Sequence, residues 1–201
     1  MGPLVSLAGR CLVVDLNCRI APAKLTPADA SAFRQVLGCF PTGVAVVTTR
    51  LRDVAYGITV NAFSALSLRP PLVLCCVRRG SRFLNGLAQT RTFAVNVLAD
   101  HQMEIASAFA NATRSDADTR WFGQWQSELG SPLIEGAAAW VDCRLERVHD
   151  GGDHVICVGR VEGLAADETR KSLVFDRGQF REVGYAWYLP TELDGLCWPV
   201  A

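Results

Sequence analysis

Nowhere in the 201 residues does an uninterrupted apolar run approach the roughly 18 residues that a membrane-spanning helix needs. The opening stretch MGPLVSLAGRCLVVDLNCRI is mildly apolar, but Arg10 and Asp15 interrupt it before a signal-type core is complete. A cytoplasmic protein with no membrane partner is therefore expected. An excess of charge of either sign is also missing: 20 Lys and Arg balance 20 Asp and Glu, with no basic tract or acidic tail. That absence removes the electrostatic footprint of a nucleic-acid binder. Histidine is scarce, at three residues. GxSxG, P-loop, GxGxxG and HExxH motifs are absent, so hydrolysis, phosphoryl transfer and Rossmann-type nicotinamide binding lose their main sequence support.

Cysteine is present, eight times, but spread thinly over a chain too long to need a disulfide scaffold. Reduced thiols are expected, and adjacent Cys75 and Cys76 in PLVLCCV would face opposite sides of a strand. Cys143, His149, His154 and Cys157 lie close enough in sequence to suggest zinc, yet form no CxxC pair or helical His pair. Cys143 shares the register of Val141 and Leu145, as a core-facing strand residue would. Buried thiols and two hairpin histidines are the favoured reading over a metal.

Residues 1–25 lack periodicity and read as an N-terminal arm; residues 26–184 form one domain and 185–201 a C-terminal extension. Thr26 is placed to cap a first helix with Pro27 in its first turn, and Phe33, Val36, Leu37 and Phe40 recur at helical spacing. VAVVTTR and AYGITVNAFS read as two strands around LRD, and PLVLCCV as a strand buried on both faces. Ser81 opens a short helix carrying Phe83, Leu84 and Leu87, and TFAVNVL is the next strand. Asp100 is the expected cap of another helix, with Ile105, Ala108 and Phe109 as its buried stripe. AAAWVDCRLERVH and HVICVGRVEGL flank DGGD, a strong hairpin signal, and SLVFDRGQFREV supplies a last strand pair. Many short strands with few helices predict a mainly β fold, a closed antiparallel barrel with peripheral helices.

The chemical candidates are polar groups at strand ends: Thr59, Asn61, Ser64 and Ser67, then Ser81 and Arg82 at a helix N-terminus. Amides, a hydroxyl and a guanidinium there make either a phosphate seat or an ordinary cap beside a surface arginine. Arg120, Trp121 and Phe122 in a long polar and aromatic loop either cover a ligand or pin the loop.

FRQVLGCFPTGVAVVTT, GITVNAFSALSLRPPLVLCCV, SRFLNGL, FAVNVL, GSPLIEGAAAWVDCRL and HDGGDHVICVGRVEGL occur in an order and at spacings that resemble the short-chain flavin reductases. Those proteins are reductase components of two-component flavin-dependent monooxygenases. The likeness spans residues 31–184. It implies an FMN-binding split β-barrel of Greek-key type, a homodimer, and an NAD(P)H-dependent flavin reductase that supplies reduced FMN or FAD to a separate monooxygenase. Carried onto this chain, the flavin would be met by Tyr56, Gly57, Ile58, Thr59, Asn61, Ala62, Phe63 and Ser64. Cys76, Val77, Ser81 and Arg82 would follow it to the phosphate, and Phe109 would close one side. NADH or NADPH would lie near His154, Phe175, Arg177 and Gly178. Hydride transfer needs no general base, so the resemblance implies no catalytic side chain. Alternative readings are a flavin carrier that does not use nicotinamide, and a flavoenzyme whose bound flavin acts directly on a small organic substrate.

Overall fold

In the computed structural model, residues 29–111, 120–122 and 124–184 are described. The first element, α1 (Ala30–Leu37), starts later than its sequence predicts. Asp29 is its cap: one carboxylate oxygen accepts the amides of Ser31 and Ala32 at 2.8 and 2.9 Å. These bonds hold the Asp29 carboxyl below its usual range. The cap therefore stands at Asp29 rather than at the predicted Thr26, which lies outside the described residues with Pro27.

Ten strands follow: β1 (Thr42–Gly43), β2 (Ala45–Leu51), β3 (Val54–Val60), β4 (Phe63–Leu68), β5 (Pro71–Arg78), β6 (Thr92–Val97), β7 (Ala139–Gly151), β8 (His154–Ala166), β9 (Leu173–Asp176) and β10 (Gln179–Glu182). Helices α2 (Arg82–Thr90) and α3 (Met103–Ala110) flank β6. Seven strands form one antiparallel sheet in the order β3-β2-β6-β7-β8-β5-β4, and β1, β9 and β10 form a small second sheet. The large sheet begins and ends on consecutive strands. β3 also lies against β5, and only Asn61 and Ala62 separate β3 from β4, so the two edges meet along a seam.

That seam corrects one expectation: AYGITVNAFS is two strands, broken at Asn61 and Ala62. PLVLCCV is corrected too, because burial alternates along it, with Val73, Cys75 and Val77 buried and Leu72, Leu74 and Cys76 only half-buried. Inside the sheet, Val47, Cys75, Val77, Phe93, Val95, Cys143 and Cys157 form one core. Phe93 crosses it onto Gly159, where a methyl would lie 2.9 Å from the ring's Cε1. On the outer side, Val46, Leu98, Phe109, Phe122, Ile134 and Leu173 form a second core under α3.

A buried polar network fastens residues 131–137 over that second core. Asn96, fully buried, donates to the Val46 carbonyl at 2.9 Å and to Thr48 at 3.1 Å, and accepts the Ile134 amide at 2.8 Å. The Thr48 hydroxyl donates to the Pro132 carbonyl at 2.6 Å, and the Trp140 indole to the Ile134 carbonyl at 2.9 Å. Gln102 joins in, donating to the Glu135 carbonyl at 2.8 Å. It also stands where the cap of α3 was predicted at Asp100: α3 starts three residues later, and Asp100 instead accepts the His101 amide.

Candidate functional site

Two clefts open on successive stretches of the β3–β4 run. The smaller, of about 350 Å³, is lined by Tyr56, Gly57 and Ile58, by residues 78–83, and by Phe109, Ala110 and Asn111. The larger, of about 1030 Å³, is lined by α1 and the segment after it, by Asn61, Ala62, Phe63 and Ser64, and by Leu74, His154, Phe175 and Gly178.

The predicted site residues therefore divide. Tyr56, Gly57, Ile58, Ser81, Arg82 and Phe109 face the smaller cleft; Asn61, Ala62, Phe63, Ser64, His154, Phe175 and Gly178 face the larger. Four do something else. Thr59 donates its hydroxyl to the Ala106 carbonyl at 2.7 Å, tying β3 to α3. Val77 is fully buried in the inner core, and Cys76 is half-buried, its thiol raised by burial. Arg177 sits in the β9–β10 turn at φ +49° with its amide on the Gly38 carbonyl, and pairs loosely with Asp176 at 3.9 Å.

At the smaller cleft a helix start, a hydroxyl and arginines come together. Ser81 is extended, caps α2 and accepts the Leu84 amide at 3.4 Å, which places its hydroxyl at the first turn of the helix. Arg78 and Arg82 flank it. Arg79 is committed elsewhere, to the turn between β7 and β8. The opposite wall is the Phe109 ring lying on Gly57. Phe122 meets that ring edge-on at 5.2 Å and is itself buried, which answers the choice at the aromatic loop: Phe122 pins.

At the larger cleft His154 opens β8 opposite Arg78, with Nδ1 at 2.8 Å from the Asp153 carboxylate. The Asp153 carboxyl is held below its usual range by that contact. Thr42, missed in the sequence, lines this cleft with a buried hydroxyl that has no hydrogen-bond partner among the described residues. Only the tertiary fold reveals it, since Thr42 lies in a two-residue strand with no periodicity to read.

The residues weighed for zinc do not converge. Cys143 and Cys157 point into the inner core and His149 is exposed; among the described residues no three potential ligands form a metal-binding group. Burial, then the Asp142 and Glu162 carboxylates, push the Cys143 thiol up to about 12. Cys75, directly opposite Cys157 on β8, is pushed up by its hydrogen bond to that sulfur and by burial. Neither is a nucleophile at neutral pH.

Residues 37–184 match the model of the flavin reductase like domain. The reductase subunit of a flavin-dependent monooxygenase from Rhodococcus jostii is 42% identical over 153 residues, covering 76% of this chain and 77% of that protein. An NADH-dependent FAD reductase from Streptomyces globisporus is 39% identical over 164 residues, covering 80% and 90%. Among solved structures, an NADH:FAD oxidoreductase of Streptomyces globisporus, in complex with NAD and FAD fragments, superposes with a TM-score of 0.73 at 36% identity, covering 85% of this chain and 99% of that one. The flavin reductase component of a bacterial two-component tryptophan halogenase gives a TM-score of 0.73 at 36% identity, covering 79% and 100%.

Proposed function

From the premise that this chain belongs to the flavin reductase-like domain family, we infer its reaction: it is a nicotinamide-dependent flavin reductase that supplies reduced flavin to a separate monooxygenase component. The observation that carries the reading is the anion seat at Ser81 and Arg82, opening beside a second, larger cleft on the same strand run. The residues present fit the ligands. The α2 start supplies amides, a hydroxyl and a guanidinium for a phosphate, while the larger cleft has an apolar lining with Asn61 and the partnerless Thr42 hydroxyl as polar groups.

When both ligands are bound, the nicotinamide supplies a hydride from C4 and the flavin accepts it at N5. The protein's part is to hold and align. Ser81, Arg82 and the α2 amides anchor the flavin phosphate. Asn61, Ala62 and Phe63 would supply an edge for the ring system, and Phe109 on Gly57 would wall the phosphate end. His154, with Phe175 and Gly178, orients the nicotinamide nucleotide in the larger cleft. Fixing two reactants at contact distance is a large part of such a barrier, and no acid or base is required of the protein.

The flavin is FAD rather than FMN in this reading. Beyond Ser81 the smaller cleft continues to Tyr56, Phe109 and Asn111, giving an adenosine room next to the phosphate seat. NADH is the reductant, as the names of the Streptomyces globisporus relatives suggest. A homodimer is proposed as well, because α1 lines the larger cleft while leaving Phe33, Val36 and Leu37 exposed, with Phe40 just beyond it. Steady-state assays of NADH and NADPH oxidation against FAD and FMN test these statements. Turnover should be fastest with NADH and FAD; no oxidation with any pair would sink the reading.

A further inference from the structure

The segment Arg78-Arg79-Gly80-Ser81-Arg82 brings three arginines to the rim of the smaller cleft, and the guanidinium of the second is engaged by the turn between β7 and β8. Arg79 Nε donates to the Gly152 carbonyl at 2.6 Å and Nη2 to the Asp150 carboxylate at 2.6 Å. Its own amide donates to the Asp153 carbonyl at 3.0 Å. Three bonds from one residue thus grip the two-residue turn between β7 and β8 and the end of β7. The turn is itself preorganised, with Gly152 at φ +76° and its amide on the other Asp150 oxygen at 2.9 Å. Asp150 stays ionised at neutral pH, its carboxyl held below the usual range by the Gly152 amide and then by Arg79.

This grip is a poor stability device. The two side chains are 46% and 82% exposed, and solvent screening leaves surface pairs of that kind with little effect on stability. Its effect is on position. On one side of Arg79, two residues along the chain, is Ser81; on the other, one residue beyond Asp153, is His154. The β5–β8 ladder, in which Arg78 stands opposite His154, joins the two walls through the backbone, and the Arg79 guanidinium adds the side-chain link between the loop of the smaller cleft and the turn before His154.

We propose that Arg79 is a positioning residue that couples the two sites: by fixing the β7–β8 turn to the phosphate-seat loop, it makes flavin binding and nicotinamide binding strengthen each other. The proposal rests on the assignment of the two clefts given above. Coupling between sites must be reciprocal, so it can be measured without turnover.

Flavin affinity, followed by quenching of flavin fluorescence, is measured on the full chain with and without saturating NAD⁺, which cannot reduce flavin; NAD⁺ affinity is measured with and without flavin. Wild-type protein should show the same tightening in both directions, roughly fivefold or more. Arg79→Gln should bring that ratio close to one, with a thermal midpoint near that of the wild type. Asp150→Asn, which keeps an oxygen for the Gly152 amide, should lose most of the ratio while costing flavin affinity alone less than Arg82→Ala does. Independent binding in the wild type overturns the proposal. So does an intact ratio in both variants, which would leave Arg79 a surface cation. If the wild type binds neither ligand, the functional reading falls and the coupling with it.

Discussion

At Gly57 a side chain is excluded by a neighbour rather than by backbone conformation. A methyl built there falls 2.6 Å from Cδ1 of Phe109 and closer still to Cε1. Phe109 cannot swing aside, because it is buried and wedged by Phe122. Gly57→Ala should therefore lower stability by about 1 to 3 kcal/mol in urea unfolding and weaken flavin binding; a second change, Phe109→Leu, should recover part of the stability. Arg82→Ala should raise the flavin dissociation constant roughly ten- to a hundredfold while leaving turnover at saturating flavin nearly intact, as loss of a charge-assisted phosphate contact predicts. His154→Ala should raise the nicotinamide KM instead; an effect confined to flavin would remove it from the nicotinamide site. Cys143 sets a pH dependence. Its folded thiol titrates near 12, above an ordinary value near 9, so its contribution to stability is full below about pH 9 and is lost as pH rises toward 12. The urea midpoint should fall between about pH 8 and about pH 10.5, and Cys143→Ala should flatten that fall.

The elements show which signals in the sequence were local. The DGGD hairpin and the Ser81 cap depend on neighbours in the chain, and each appears where it was read. What depended on distant partners was not legible. The break at Asn61 and Ala62 follows from barrel geometry, since the strand must leave one edge of the sheet and join the other. Thr59 looked like a ligand group because its carbonyl partner, Ala106, lies 47 residues away. Asn96 passed unnoticed inside a strand, yet its amide fastens the 131–137 segment to the sheet. Asn96→Leu should cost about 2 to 4 kcal/mol, since Ile134 and Thr48 lose their partner in a dry site. Hydrogen exchange should then quicken at residues 131–137 while the β7–β8 hairpin keeps its protection; uniform loss would mean that the network supports the whole barrel, not the segment.

For the whole molecule, the question is what covers α1. Its apolar positions, Phe33, Val36 and Leu37, are 59%, 67% and 50% exposed, and Phe40 just beyond it is 72% exposed, although their spacing is that of a buried stripe. A helix of eight residues holds its shape in water only when packed, so a protein that folds with α1 formed needs a partner for that face. The larger cleft is walled by the same helix, so the proposed second copy of the chain would cover that face and help to enclose the cleft. Val36 separates the two roles, since Phe33, Arg34 and Leu37 line the cleft and Val36 does not. Val36→Glu should convert a dimer to monomer in sedimentation equilibrium without altering any cleft residue. Flavin affinity should fall with dissociation and return as protein concentration drives the variant back together. A wild type that stays monomeric at high concentration, or a dissociated variant that binds flavin as tightly as before, would mean that one chain completes the site alone.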